Sequence, residues 1–172
     1  MSDPASQELP QGLPRGPRLC IDVGSVRVGV AASDPDGLIA TPVDTLARDM
    51  VTAAKNPAAV PTDVAQIATE VDERGVKVVY VGLPRHLSGA EGSASASARA
   101  YAGFLAAIIA PVPVRMVDER MSTVSAHQAL HASGRAGRKH RSVIDQVAAV
   151  VILQSSLERE RSSGERAGEL IP

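Results

Sequence analysis

Residues 19–34 have the sequence LCIDVGSVRVGVAASD, which predicts two short apolar strands joined by a tight turn at Gly24-Ser25. Asp22 stands inside the apolar run of the first strand, where burying a carboxylate without a partner costs several kcal/mol. Gly24 and Gly29 flank it and leave no side chain to crowd a ligand. The pattern fits either a metal or phosphate site on a hairpin or an Asp side chain that bonds the backbone of its own turn.

The composition predicts a single domain with an aliphatic core. The chain has 172 residues, of which 44% are hydrophobic but only 2% aromatic, so Val, Ala, Leu and Ile must build the core. Its net charge of −1 excludes a global field that attracts nucleic acid or an anionic membrane. Any contact with nucleic acid therefore needs a local cluster of basic residues.

The single cysteine, Cys20, excludes an internal disulfide bond. We expect it to pack as a small apolar residue in its strand, whereas the alternative, an intermolecular disulfide, requires an exposed strand. The sequence contains no secretory signal pattern and no apolar run of about 18 residues. These features predict a cytoplasmic protein that does not associate with membranes.

The pattern along the chain predicts a mixed α/β domain over residues 18–161. A disordered leader (1–17) precedes it and a flexible tail (162–172) follows it. A third strand over 38–43, with Pro42 at its edge or end, extends the hairpin into an antiparallel meander.

After an irregular connection (44–60), predicted helices and strands alternate. They are helix 60–74, strand 76–81, helix 94–109, strand 112–117, helix 122–131, a basic loop 133–141 and a last helix 142–161. The alternation predicts an α/β fold with a five-stranded mixed sheet, three antiparallel strands followed by two parallel ones, flanked by helices.

Acidic residues stand at three points of this scheme: Asp22 in the first strand, Asp118-Glu119 at the end of the fifth, and Asp145 in the first turn of the last helix. Ligands gather at the carboxyl ends of parallel strands, where Glu119 would lie. Asp145 shares a helix face with small apolar residues that would pack on the sheet. Its alternative role is a favourable charge at a helix terminus, worth under about 1 kcal/mol.

Convergent carboxylates without a Cys or His pair suit Mg²⁺ or Mn²⁺, which prefer oxygen ligands. Paired divalent ions of this kind catalyse phosphodiester cleavage. The basic loop would supply phosphate contacts beside such a site, or would be an ordinary solvated loop. Its basic residues are Arg135, Arg138, Lys139 and Arg141.

Four motifs between residues 18 and 158 together resemble the YqgF/RuvX family. They are Ile21-Asp22-Val23-Gly24 with Arg27–Ala31, Val81–Arg85 with Ser88-Gly89 and Gly92, Asp118–Thr123, and Lys139 with Val143–Asp145, Ala148-Ala149 and Ile152-Leu153. The resemblance implies a ribonuclease H-like fold and a metal-dependent nuclease. Its catalytic and metal-binding residues would be Asp22, Glu119 and Asp145. Nucleic acid would contact Arg27, Arg85 and Arg120, together with the basic loop.

The sequence departs from the RuvC-type resolvase pattern at one point. The strand ending at Val81 is followed by Gly82-Leu83-Pro84, with no acidic residue at the expected second position. The resemblance then implies that Glu119, or Asp118, fills this role from the next strand.

The resemblance favours maturation of the 5′ end of the small-subunit (16S) ribosomal RNA precursor, and its alternative is resolution of Holliday junctions. The partner is accordingly precursor rRNA or branched DNA, and the protein is a monomer or a homodimer. Two alternatives belong to other classes, a non-catalytic nucleic-acid-binding module and an actin-like nucleotide-binding domain.

Overall fold

The computed structural model describes residues 12–120, the backbone of 138–145, and residues 146–172 in full. Ten helices and strands lie in this part of the chain. They are β1 (Arg18–Val23), β2 (Arg27–Ser33), β3 (Ala40–Ala47), α1 (Met50–Lys55), α2 (Thr62–Arg74), β4 (Val78–Leu83), α3 (Ser93–Ile109), β5 (Val114–Asp118), α4 (Arg138–Ser163) and β6 (Glu169–Leu170). None of the helices described is long and apolar enough to cross a lipid bilayer.

One sheet contains all six strands, in the order β3-β2-β1-β4-β5-β6. The pairs β1–β2 and β2–β3 are antiparallel, whereas β1–β4 and β4–β5 are parallel. This confirms the predicted mixed α/β sheet, to which β6 adds a sixth, antiparallel strand. Pro42 lies in the edge strand β3, as predicted, at an irregularity in the β2–β3 pairing.

Helices cover both faces of the sheet, and the alternation of side chains along β1 shows how. Leu19 and Ile21 point into the core shared with α2 and α3, whereas Cys20 points into the core under α4. Cys20 is completely buried, which confirms that it packs as an apolar residue and leaves no exposed thiol for an intermolecular disulfide.

The β1–β2 turn forms as the sequence predicts. The Gly24 N–H donates to the Arg27 carbonyl over 2.8 Å, which closes the turn between the two strands. A Cβ at position 24 would lie 2.8 Å from that same carbonyl oxygen, so the close backbone approach requires glycine.

Helix α2 confirms its prediction, since it ends at Gly75, which adopts the left-handed conformation of a C-terminal cap. The connection 44–60, expected to be irregular, instead contains the end of β3 and the short helix α1. The predicted leader lies outside the described residues up to residue 11, and the predicted helix 122–131 lies outside them entirely.

The start of the last helix was predicted wrongly. Helix α4 begins at Arg138 rather than near Ser142, so Arg138, Lys139 and Arg141 are helical and not part of a loop. Asp145 consequently lies about two turns inside the helix, not in its first turn. The sequence contains no glycine or proline between residues 138 and 145, and a serine that could cap a helix is also tolerated within one.

The C-terminal segment, expected to be a flexible tail, contacts β5 in the structure. Arg115 Nε and Nη2 donate to the carbonyls of Ala167 and Gly168 over 2.7 and 2.8 Å. Ala167 is buried, and β6 pairs with Arg115 and Met116. A two-residue strand held by an arginine side chain has no hydrophobic period that a sequence pattern could show.

A buried ion network joins the beginning of β1 to the far end of α4. The carboxylate of Glu160 accepts hydrogen bonds from Arg18 Nε (3.0 Å), Arg166 Nη1 (2.8 Å) and the Tyr80 hydroxyl. The side chains of Arg18 and Glu160 are only 6% and 4% exposed. Burial raises the pKa of Glu160, but the hydrogen bonds from Tyr80, Arg166 and Arg18 outweigh it and lower the pKa below its ordinary value.

We expect Glu160→Gln to lower the free energy of unfolding by about 3–5 kcal/mol, because it leaves the buried Arg18 guanidinium without its ion-pair partner. Glu158→Gln, which alters an exposed carboxylate of the same helix, is the matched control and should change it by about 0.5 kcal/mol or less. Urea denaturation followed by circular dichroism measures both variants. Equal stabilities of the two variants would contradict a structural role for the network.

Candidate active site

The alternation of side chains brings three positions to one face of the sheet. Asp22 follows Cys20 by two residues, Gly82 follows Tyr80, and Glu119 follows Val117; Cys20, Tyr80 and Val117 all pack in the core under α4. Since β1, β4 and β5 are parallel, these positions lie at the same, carboxyl-terminal edge of the sheet. The Glu119 N–H donates to the Leu83 carbonyl (3.2 Å), which extends the β4–β5 pairing to Glu119.

Asp22 and Glu119 meet across the intervening strand β4. Their side chains are hydrogen-bonded to each other. The structure therefore brings together two of the three predicted acidic residues, one from each side of β4.

Gly82 makes this meeting possible. A Cβ at position 82 would overlap Glu119 Oε1 and lie 3.0 Å from Ile152 Cδ1. The carboxyl group of Glu119 therefore occupies the space that a side chain on β4 would fill. On the other side of Asp22, the register places Gly29 of β2 directly opposite, again without a side chain.

The two carboxyl groups hold a proton at neutral pH in the metal-free protein. Burial, the negative charge of Asp22 and the hydrogen bond to Asp22 together raise the pKa of Glu119 to about 8. Protonated Glu119 can then donate to ionised Asp22, so the titration belongs to the pair. Burial, followed by the charges of Asp22 and Glu119, also raises the pKa of the Cys20 thiol well above its usual range, which keeps the thiol protonated and unreactive.

Asp118, the neighbour of Glu119, points away from this pair. Its carboxylate accepts hydrogen bonds from Arg120 Nη2 (2.6 Å) and Nε (3.0 Å), and Arg85 Nε lies 3.9 Å away. The hydrogen bond from Arg120 lowers the pKa of Asp118, which is therefore ionised at neutral pH. Of the two acidic residues that could complement Asp22, the structure places Glu119 beside it and Asp118 in an ion pair.

The Asp118 ion pair is one end of a longer chain of charges along the surface. Arg85 Nη2 lies 3.4 Å from Glu91, which also binds Arg99, and Arg99 in turn contacts Glu169 in β6 (3.0 Å). Within the part of the chain that the structure describes, Arg85 Nε is a buried donor without a hydrogen-bond acceptor.

Asp145 lies on α4, and its side chain is outside the described part of the structure. Helix α4 runs opposite to β1 and β4, since Glu160 contacts the start of β1 and Ile152 lies beside Gly82 near the end of β4. Asp145, seven residues before Ile152, is therefore two helical turns further toward the carboxyl-terminal edge of the strands. Its contact with Asp22 and Glu119 stays a prediction. Among the side chains described, no group of three or more His, Cys, Asp and Glu is arranged to hold a metal ion.

The predicted nucleic-acid contacts have different positions. Arg27 begins β2, next to the hairpin turn, and Arg85 and Arg120 flank Asp118. The remaining basic residues were predicted as one loop; Arg138, Lys139 and Arg141 lie in α4, and Arg135 lies outside the described residues.

Sequence reasoning missed the role of Gly82, which it treated as the start of a turn at the end of β4. The structure places Gly82 within β4, where the absence of a side chain accommodates the carboxyl group of Glu119. Residues two apart in a strand lie on the same face. This alternation, applied to the buried Tyr80 and Val117, could have placed positions 82 and 119 on one face.

Comparison with known proteins identifies the family. The family model described as "RuvX: Holliday junction resolvase" matches residues 16–159. The chain belongs to the RuvX family. A relative from Streptomyces avermitilis, named "Putative pre-16S rRNA nuclease", is 52% identical over 92% of this chain and 96% of its own length. A Nocardioides relative of the same name is 49% identical over 91% of this chain and 96% of its own.

A solved structure supports the same fold. RuvC from Thermus thermophilus superposes with a TM-score of 0.50 at 14% sequence identity, covering 87% of this chain and 98% of that one. The predicted ribonuclease H-like fold is confirmed, and as a member of the RuvX family the protein is a nuclease, a hydrolase.

We expect the stability of the metal-free protein to fall as the pH rises from about 5 to about 8. The folded-state pKa of Glu119, about 8, exceeds its unfolded value near 4.5, so the folded protein binds more protons in this window and loses that advantage as the pH rises. Glu119→Gln cannot titrate and should lack this decline. Its stability relative to the wild type should increase by several kcal/mol across the window. Urea denaturation in EDTA at several pH values measures the difference, with Glu158→Gln as control; parallel profiles for wild type and Glu119→Gln would contradict the prediction.

Gly82→Ala should displace the Glu119 carboxyl group, because the added methyl group would occupy its position. We expect the pKa near 8 to shift and nuclease activity to be lost in a protein that still folds. Gly103→Ala is the matched control, since nothing lies within 4 Å of the added Cβ and alanine favours the helix by about 0.5–1 kcal/mol. Activity in Gly82→Ala equal to that in Gly103→Ala would show that the position of Glu119 is not critical.

Proposed function

We propose that this protein is a divalent-metal-dependent nuclease that matures the 5′ end of precursor 16S ribosomal RNA. The observation that supports this most strongly is the buried contact between Asp22 and Glu119 at the carboxyl-terminal edge of the parallel strands. Each carboxyl group alone would be ionised at neutral pH, and two ionised carboxylates in contact repel each other. Their contact therefore indicates a site built for a cation.

The donor set fits Mg²⁺ or Mn²⁺. Both cations prefer oxygen ligands, and the described site offers carboxyl oxygens with no competing thiolate, since the Cys20 thiol stays protonated. Asp22 and Glu119 would hold the metal, with Asp145 of α4 as the third ligand. When bound, divalent ions of this kind activate water and stabilise the leaving oxygen of a phosphodiester.

The arginines near the acidic pair would position the substrate. Asp118 holds Arg85 and Arg120 at the end of β5. Arginine donors of this type bind phosphate oxygens. Further contacts are proposed for Arg27, Arg138, Lys139, Arg141 and Arg135.

The choice of substrate rests on the relatives. Those at about half identity are named for precursor 16S rRNA, whereas the description of the family model names Holliday junctions. Both substrates offer the same phosphodiester to the same carboxylates, so branched DNA is the second candidate. Processing of RNA places the protein in the cytoplasm. Cleavage of a single RNA strand needs one active site, so it permits a monomer. Symmetric cleavage of a junction requires two active sites, as in a homodimer.

We expect Asp22→Asn and Glu119→Gln each to reduce cleavage on the order of 10²-fold or more, because a lost metal ligand costs several kcal/mol of transition-state stabilisation. Glu158→Gln, which alters an exposed carboxylate of α4 that has no role in the site, is the control and should keep its activity. Without metal, Asp22→Asn should melt no lower than wild type, since it removes the buried negative charge of the pair. The melting temperature should rise with Mg²⁺ in the wild type but not in Asp22→Asn.

The assay compares precursor 16S RNA and a four-way DNA junction, with Mg²⁺ and with EDTA. Faster cleavage of the RNA supports the proposed substrate, and faster cleavage of the junction replaces it with the second candidate. Binding without cleavage would indicate a non-catalytic module, and a shift in melting temperature with nucleotide alone would indicate an actin-like domain. Normal cleavage by Asp22→Asn would exclude the acidic pair as the active site.

A further inference from the structure

An open cleft lies beside the acidic pair, between α4 and the C-terminal segment. Its volume is about 470 Å³, within the usual range of ligand clefts. Val117 and Asp118 form its floor, Ser155 and Arg159 of α4 form one wall, and Gly168 forms the other. Val117 lies two residues before Glu119 on the same face of the sheet, and Ile152, which lies beside Gly82, also lines the cleft.

The architecture holds this cleft open. Strand β6 pairs only with Arg115 and Met116, so it stops short of the last residues of β5. Gly168 has a left-handed backbone, and a Cβ there would overlap the Met116 carbonyl oxygen and lie 2.7 Å from Val117 Cγ1. The wall is therefore bare backbone pressed against β5, held in place by the hydrogen bonds from Arg115.

Arg159 brings an uncompensated positive charge to the cleft. Within the described part of the chain it makes no ion pair, unlike Arg85, Arg99 and Arg120, which all contact carboxylates. Its neighbours on the helix at i−4, i−3, i+3 and i+4 are all serines, so no acidic residue of α4 lies one turn away from it. Those serines are Ser155, Ser156, Ser162 and Ser163. Asp118 also lines the cleft, but its carboxylate is already paired with Arg120.

We propose that this cleft binds the sugar–phosphate backbone of the substrate strand, with Arg159 contacting a phosphate and Ser155 beside it. Arg159 lies seven residues, about 10.5 Å of helix, beyond Ile152, which packs next to Gly82. A stacked strand advances about 3.4 Å per nucleotide, so Arg159 contacts the strand about three nucleotides from the bond that is cut. The proposal rests on the proposed nuclease function. It assigns the path that the bound strand follows, from the acidic pair along the cleft beside α4.

The test measures binding of a fluorescein-labelled precursor 16S RNA fragment by anisotropy in EDTA, between 50 and 200 mM salt. A lost phosphate contact reduces the slope of log K against log salt by about 0.7–0.9. For Arg159→Gln, the loss of affinity over this fourfold range of salt should therefore be about threefold smaller than for the wild type. Lys55→Gln, which removes an exposed charge from α1, is the matched control and should leave the slope unchanged.

A second variant guards against an effect on folding. Ser155→Glu introduces an acidic residue four positions before Arg159, an arrangement that stabilises a helix while neutralising the arginine. It should melt no lower than the wild type and yet show the reduced slope. Slopes equal to that of Lys55→Gln in both variants would overturn the proposal.

The position of the contact is tested with two shortened RNA fragments. One keeps a single nucleotide on the 5′ side of the cleavage site, and the other keeps a single nucleotide on the 3′ side. Shortening one of the two sides should abolish the difference between wild type and Arg159→Gln; a difference that survives both would overturn the assignment. The proposed function fails separately, if the wild type with Mg²⁺ cleaves neither RNA nor DNA. Cleavage by the wild type with an unchanged slope in Arg159→Gln overturns only the cleft.

Discussion

The carboxyl groups of Asp22 and Glu119 lie against each other in a mostly buried site, and this contact constrains everything around it. Two ionised carboxylates in contact repel each other, and burial removes the water that would screen their charges. The structure meets the constraint with a shared proton and with glycines at the two flanking positions, Gly29 and Gly82. The site is therefore stable only when a proton or a cation is present, which is the property that a cation-binding site requires.

Strand β5 separates two functions by the alternation of its side chains. Glu119 points toward α4 and Asp22, whereas Asp118 points to the other face and binds Arg120 and Arg85. A slip of one residue in the β4–β5 pairing would exchange the two acidic residues. The shorter side chain of Asp118 would then lie beside Asp22, and Glu119 would lie beside Arg85 and Arg120.

Local signals in the sequence were sufficient for much of this arrangement. The hairpin followed from Gly24, helix α2 from its period and from Gly75, and β4 from its continuous apolar run. Three features depend on contacts distant in sequence and left no local signal. Arg115 fixes β6 through two carbonyl groups, Glu160 meets Arg18 across 142 residues, and Gly82 makes room for Glu119 on a neighbouring strand. The start of α4 was missed for a different reason, because a serine suited to a helix cap lies inside a longer helix.

Two contacts along α4 explain how a helix can place residues accurately beside a site that is itself destabilising. Near its C-terminal end Glu160 is hydrogen-bonded to Arg18, Tyr80 and Arg166, and about two turns earlier, in the middle of the helix, Ile152 packs beside Gly82. A slip of α4 by one residue would shift it by about 1.5 Å and rotate it by about 100°. Glu160 would then leave its three donors while its charge remained buried, which costs several kcal/mol. The buried ion network thus fixes the axial position of the helix, and with it the position of Arg159 and of the residues that α4 carries past the carboxyl-terminal edge of the sheet.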